Sequence, residues 1–295
     1  MDENFINEYI STEFKVRRIR VDLSNSFRLD WNGGDTFKSA FIDALSMSFP
    51  VGEQFFIDSV RAGMAHLDAH EEHLGLLQGL KIFIGQEATH RQIHAMYNLQ
   101  LEKSGYRNVW SDRLSQRLKS TRHKLERLKT NDIHMHELAM TCGAEHLTAV
   151  LSELVLLRSG QPNDWFLNAD EPLKTLWHWH CAEEVEHKSM VFDLYRQLGG
   201  QHQIRVYWFY KVLVFFIVDV SIQILNNLWR NGSIKKWRTW KEGCLFLFGR
   251  QGLIRSSWPM LMEYRRKDFH PRQLGSDLQA IQWLKSNQVA WAAVS

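Results

Sequence analysis

Two glutamate-histidine pairs recur along the chain, each preceded by a lone glutamate. Glu53 is followed after 34 residues by Glu87-Ala88-Thr89-His90, and Glu145 after 39 residues by Glu184-Val185-Glu186-His187. A Glu and a His three apart project from the same side of a helix. Two lone Glu residues and two Glu-x-x-His pairs, one set on each of four helices, make a ligand set for two metal ions held in the interior of a bundle. Carboxylates bridge ions and imidazole suits iron, manganese or zinc, so the mixed oxygen and nitrogen donors favour a first-row pair. Such a pair activates dioxygen or water.

The spacing requires helices, and the sequence supplies them. A gap of 34 or 39 residues holds the rest of one helix, a turn and part of the next, at about 1.5 Å per residue. Only five prolines occur, and none lies between Leu74 and Gln161. Apolar residues fall at three- and four-residue spacing, so the fold class is all-α: a four-helix bundle with a dinuclear metal site and additional C-terminal helices. Helices are expected at about 36–47, 50–69, 73–104, 110–130, 132–159, 171–198, 204–230, 234–250, 252–267 and 275–290. Pro50 suits the first turn of the helix carrying Glu53, with Ser48 as its cap. Gly160, Pro162, Asn163 and Asp164 break the chain, and Gly199-Gly200 ends the helix of Glu184. Residues 1–35 form an arm, with an extended Phe14–Asp22 stretch and a turn at Asn32-Gly33-Gly34-Asp35. Residues 36–200 form the bundle, and 201–295 an extension packed on it.

Neighbours on the same helix faces refine the set. His180 lies one turn before Glu184, and His94 one turn after His90. The expected metal ligands are Glu53, Glu87, His90, Glu145, His180, Glu184 and His187, with His94 less certain. Glu183 and Glu186 are turned off that stripe by a 100° step and read as solvent-facing groups or as groups just outside the ligands. Thr141, Thr148, Ala149 and Ser152 share the face of Glu145, which either leaves room for substrate or lets helices pack closely. Cys142 and Cys181, each three residues before a ligand Glu, read as buried packing. His66, His70 and His73, beside Glu71 and Glu72, form a weaker candidate for a second metal site. His134, His136, His146 and His178 read as surface or hydrogen-bonding residues. No His-Glu-x-x-His, Gly-x-Ser-x-Gly, P-loop or Gly-x-Gly-x-x-Gly pattern occurs, which removes support for zinc-protease, serine-hydrolase, nucleoside-triphosphatase and Rossmann readings.

Charge divides the chain. Residues 1–200 carry 22 Lys and Arg against 28 Asp and Glu, whereas residues 201–295 carry 14 against 5, with seven of the twelve tryptophans. Three cysteines without paired spacing suit a reducing, cytoplasmic location. The N-terminus lacks the basic and apolar regions of a signal peptide. Val206–Trp229 is apolar but interrupted by Lys211, Asp219 and Gln223, so a helix packed on the bundle is preferred to a spanning one. Trp229, Trp237, Trp240 and Trp258 interleave with Arg230, Lys235, Lys236, Arg238, Lys241, Arg250 and Arg255, a mixture suited to peripheral contact with an anionic lipid surface. No recognition motif supports nucleic-acid binding.

The segments Ser48-Phe49-Pro50-Val51-Gly52-Glu53-Gln54-Phe55-Phe56, Gln86-Glu87-Ala88-Thr89-His90-Arg91-Gln92-Ile93-His94 and Trp177-His178-Trp179-His180-Cys181-Ala182-Glu183-Glu184-Val185-Glu186-His187-Lys188 resemble a bacterial family labelled "predicted metal-dependent hydrolase". The likeness runs from about residue 10 to about residue 270 and implies a ferritin-like fold. The second motif is also similar to that of the p-aminobenzoate N-oxygenase group of di-iron enzymes, which carries an extra histidine one turn earlier. That likeness supports His180. The expectation is an enzyme with two iron ions, or alternatively manganese or zinc, activating dioxygen to oxidise a small-molecule or lipid-like substrate. Hydrolysis by metal-activated water is the alternative, and a non-enzymatic metal-binding protein a third. A second copy of the chain is a further candidate partner.

Overall fold

The computed structural model describes residues 13–68, 70, 73–130 and 132–294. Residues 1–12 of the expected arm, and Glu71 and Glu72, lie outside them. The described chain is all-α apart from one two-stranded ribbon. Strand β1 (Arg17–Ile19) pairs antiparallel with β2 (Trp291–Ala293), Arg17 opposite Ala293 and Ile19 opposite Trp291, so the extended arm is closed by residues near the other end of the chain. The helices are α1 (Thr36–Met64), α2 (Leu74–Lys103), α3 (Val109–Arg127), α4 (Ile133–Arg158), α5 (Glu171–His187), α6 (Met190–Gln197), α7 (His202–Arg230), α8 (Trp237–Phe248), α9 (Leu253–Glu263) and α10 (Asp277–Ser286).

Helix α1 corrects one expectation. Pro50 does not start a helix; it lies inside one of 29 residues. Proline has no N–H, so the Ser46 carbonyl one turn earlier loses its helical donor. The Asn98 amide on α2 donates to that carbonyl at 2.9 Å, and Asn108, at the start of α3, donates to the Met47 carbonyl at 2.8 Å. Ser48 is not a cap: its hydroxyl donates back to the Leu45 carbonyl at 2.8 Å. Neighbouring helices thus supply what the proline removes. The start of α1 is set by Asp35, whose side chain accepts from the Lys38 N–H after left-handed Gly33 and Gly34.

The helix expected over 171–198 is also divided, into α5 and α6, at Lys188-Ser189. No proline or glycine marks the break. Buried Lys188 reaches Glu153 on α4 at 3.2 Å, Asp277 on α10 at 2.9 Å and the Leu274 carbonyl at 3.0 Å.

Helix α4 is the central element, with most of its length buried under α1, α5, α6, α7 and α9. Gly143 lets α7 approach: a β-carbon there would lie 3.1 Å from the Phe209 Cα. Helix α7 is held through its polar residues. Asp219 pairs with Arg113 and Arg117 on α3. The Gln223 side-chain oxygen Oε1 accepts from the first two N–H groups of α3, at Val109 and Trp110, both at 2.9 Å. Asn227 donates to the Ala40 carbonyl of α1 at 3.2 Å. The helix expected to pack on the rest of the protein therefore does so along one face. Its other face is open, from Tyr207 to Trp229.

Candidate metal centre

Helices α1, α2, α4 and α5 bring the expected residues to one interior point. Glu53 comes from α1, Glu87 and His90 from α2, Glu145 from α4, and His180, Glu184 and His187 from α5. All seven side chains are buried. Among the described residues, overlapping groups of potential ligand atoms lie within 4.8 Å of one another: Glu53 with Glu87 and His90, His90 with His180 and Glu184, and Glu87 with Glu184 and His187. Glu145 joins through His187, whose Nε2 lies 3.6 Å from a Glu145 oxygen and 3.2 Å from a Glu87 oxygen.

The inward atoms have no hydrogen-bond partners. They are both oxygens of Glu53, Glu87 and Glu145, one oxygen of Glu184, Nδ1 of His90 and Nε2 of His187. Native interiors rarely tolerate such groups, and buried carboxylates are costly without a compensating cation. Burial first, and then neighbouring carboxylates, hold Glu53, Glu87 and Glu145 well above the ordinary carboxylate range. Glu184 is buried too, but the surrounding His187, His90 and His180 bring it well below that range. Burial lowers His180 to about 3, with His90 adding to the effect. The donor set and its unpaired atoms fit bound metal.

Each histidine is oriented from outside, the usual arrangement behind imidazole ligands. His90 Nε2 meets a Glu183 oxygen at 3.0 Å, leaving Nδ1 facing Glu184 at 3.5 Å. His187 Nδ1 meets the Gln86 side-chain oxygen Oε1 at 3.1 Å, leaving Nε2 facing the cluster. Gln86 precedes Glu87 and serves the histidine of the other motif, while Glu183 precedes Glu184 and serves His90. The support is reciprocal. Both outer groups are tied to the arm through Arg17, which donates to Glu183 at 3.1 Å and to Glu186 at 2.7 and 2.9 Å. Gln86 donates to Glu186 at 2.8 Å. Glu183 and Glu186 therefore do not face solvent; they belong to the layer just outside the cluster.

His94 occupies a different place. The Ser46 hydroxyl gives its one proton to the Asn98 side-chain oxygen at 2.9 Å. It must then accept from His94 Nδ1, also at 2.9 Å, which makes His94 Nε2 an acceptor. His180 Nδ1 lies 3.2 Å from that atom and donates to it. His180 Nε2 is thereby left bare, 3.6 Å from Glu184. These tautomers follow from the hydrogen-bond network. His94 also converges with Glu53 and His180 within 4.8 Å, but both its nitrogens are already engaged.

The remaining candidates separate. Thr141 bonds to Ser59 at 2.7 Å and Ala149 packs in the core, while Thr148 and Ser152 line cavities. Cys142 and Cys181 are buried, and burial raises both thiols, Cys181 to about 12. His66 stacks on His134 with ring centroids 3.9 Å apart, and no metal-binding group forms there among the described residues. His136 accepts from Trp208, His146 contacts the Leu261 carbonyl, and His178 meets Lys174 and Ser159.

A cavity of about 130 Å³ lies beside the cluster, between α1, α3, α4 and α7. Gly52 and Phe56, near Glu53 in the chain, and Ala144 and Thr148, near Glu145, are among its lining residues. A smaller void of about 30 Å³ shares Phe49, Thr148 and Phe216 with it and reaches His180. Sequence reasoning assigned no role to Gln86, Arg17 or Ser46; of the small residues on the face of Glu145, where it allowed room for substrate, Thr148 lines this cavity. The signal for Gln86 and Glu183 was present as an acid or amide directly before each motif glutamate.

No curated protein and no solved structure gives a significant match to the chain. A family model described as "Predicted metal-dependent hydrolase" matches residues 15–275. With that match over most of its length, and with histidine and glutamate groups able to hold metal at its centre, the chain belongs to the family of predicted metal-dependent hydrolases.

Proposed function

We propose that the protein is a metal-dependent enzyme whose centre is dinuclear, set in a ferritin-like arrangement of α1, α2, α4 and α5. The supporting observation is the convergence of four buried carboxylates and three imidazoles whose inward atoms are largely unpaired. Two divalent cations balance four carboxylates. Glu53, Glu87, Glu145 and Glu184 would hold them with His90, His180 and His187, while Glu183, Gln86 and His94 keep the imidazoles in register. When bound, such ions supply activated water for hydrolysis or, if redox-active like iron or manganese, reactivity toward dioxygen.

The family description supports the hydrolytic reaction. One observation favours oxidation of a hydrocarbon-like substrate as a second reading. The cavity lining is almost wholly apolar, and its charged members, Arg117 and Asp219, are paired with each other. Neither is placed as a free acid for a leaving group.

Metal analysis of protein purified without added metal tests the shared basis. Two ions per chain are expected, with Glu87→Ala and Glu184→Ala each losing at least one. Two ions retained in both variants would overturn the assignment. Chromogenic acyl-ester turnover that is equal with and without oxygen supports hydrolysis. Oxygen consumption after anaerobic reduction, with no ester turnover, supports oxidation.

A further inference from the structure

The open face of α7 has a graded composition. Tyr207 and Tyr210 stand near its start, with the Lys211 ammonium 5.6 Å from the Tyr207 ring centroid. Val214, Ile217, Ile222 and Leu225 follow at helical spacing, all exposed. Trp229 ends the stripe at 64% exposure, and Trp237, just past the turn, is 80% exposed. Arg230, Lys235, Lys236 and Arg238 surround these two tryptophans in the chain and are all exposed. Solvent-facing apolar stripes of this length are rare in soluble monomers and mark interaction surfaces.

The composition points to one occupant. Aliphatic residues bounded by tyrosine, tryptophan and cations match the layering of a lipid interface. The positive balance of residues 201–295, 14 Lys and Arg against 5 Asp and Glu, complements anionic headgroups. Length and apolarity alone would let α7 cross a bilayer. Its opposite face argues against that, because Asp219, Gln223 and Asn227 are buried and bonded to α1 and α3. The helix is therefore fixed on the protein and can offer lipid only its outer stripe.

The same helix forms a wall of the cavity. Phe215 is both exposed and a lining residue, and Val212 and Phe55 are half-buried members of the lining, so the cavity reaches the surface beside the stripe. Its lining includes Gly52 and Phe56, near Glu53 in α1, and Ala144 and Thr148, near Glu145 in α4. An apolar cavity of this order of size takes up hydrocarbon rather than water.

We propose that the open face of α7, with the basic tryptophan-bearing turn after it, rests on an anionic bilayer, and that the adjoining cavity receives an acyl chain from it. The substrate class this implies, a membrane lipid or fatty acid, rests on the metal-centre reading above; the docking does not.

Flotation with vesicles of phosphatidylcholine alone, or with one third phosphatidylglycerol, tests the docking. The full-length protein is expected to float with the anionic vesicles, and less so in 0.5 M salt because exposed charges are then screened. Ile217→Asp should reduce flotation at least tenfold, and Lys235→Glu with Lys236→Glu should reduce it severalfold. Binding of a fluorescent polyene fatty acid tests the cavity. Leu114→Trp, which fills it from α3, should lower that binding at least tenfold while leaving flotation intact. Metal content is measured in every variant, so failure of the metal centre is distinguished from failure of docking. A parent protein that stays with neither vesicle type overturns the proposal. So does a stable dimer that Ile217→Asp converts to monomer, since the stripe would then be covered by a second copy.

Discussion

His94 is where residue-level chemistry distinguishes an imidazole left open to metal from one already engaged. Its Nδ1 is committed to Ser46 and its Nε2 receives His180, so its imidazole fixes which His180 nitrogen is bare. Phe49 reinforces the setting by stacking on the His180 ring, with centroids 4.8 Å apart. Loss of a group behind a ligand typically lowers metal affinity about 10- to 100-fold, whereas loss of a ligand removes a bond to the ion itself. His94→Ala is accordingly expected to retain two ions when purified but to release one more readily in a chelator titration, by about 10- to 100-fold. His180→Ala should lack an ion from the start. Ser46→Ala should act in the same direction as His94→Ala, with a smaller effect. If His94→Ala instead matches His180→Ala in metal content, His94 is itself a ligand.

At the scale of elements, the decisive local feature is the proline inside α1. The Ser46 carbonyl has lost its helical donor to Pro50 and found Asn98 instead. Leaving such a buried acceptor unsatisfied costs about 1–3 kcal/mol, so Asn98→Ala should lower unfolding stability by about that amount. Pro50→Ala returns an N–H at the right place, and the two changes together should cost less than their sum. Urea unfolding of both single variants and the double variant would measure that coupling. Strict additivity would mean that the carbonyl does not link the two residues. The same feature explains what the sequence made legible. Helical periodicity and the doubled Glu-x-x-His located the elements and the residues that converge, because both depend on spacing along one chain. The continuous α1 was not legible, because its continuity depends on donors from α2 and α3. The break at Lys188 was hidden for the same reason, its partners being Glu153 and Asp277. Arg17 lay in a stretch read correctly as extended, but its engagement with Glu183 and Glu186 arises only when the arm folds over the helices. The face of α7 was ambiguous in sequence, since an apolar run does not reveal which of its sides is covered.

At the scale of the whole molecule, the ends of the described chain and the centre form one connected structure. The β1–β2 ribbon positions Arg17, with its guanidinium 5.1 Å from the Trp291 ring centroid, and Arg17 holds Glu183, which orients His90, and, through Glu186, the Gln86 amide, which orients His187. This coupling has a pH signature whose sign can be worked out. Burial raises Glu53, Glu87 and Glu145 in the folded metal-free chain above the ordinary carboxylate value that they have when unfolded. The folded state then retains protons that the unfolded state releases, so stability from these groups is fully present below about pH 4 and is lost as pH rises through their raised range. Bound cations reverse the balance by holding the same carboxylates ionised, and protons compete with them as pH falls. Chelation should therefore lower the melting temperature more at pH 8 than at pH 5. At free metal about 100-fold above Kd, one site contributes about 2.7 kcal/mol, or roughly 4 °C for a protein of this size. Hydrogen exchange adds a spatial reading: removal of metal at pH 8 should speed exchange of Arg18 and Ala292 in the ribbon as well as the helices around Glu87 and Glu184. A melting gap independent of pH, with the ribbon equally protected in both forms, would show that the arm and the buried carboxylates do not act together.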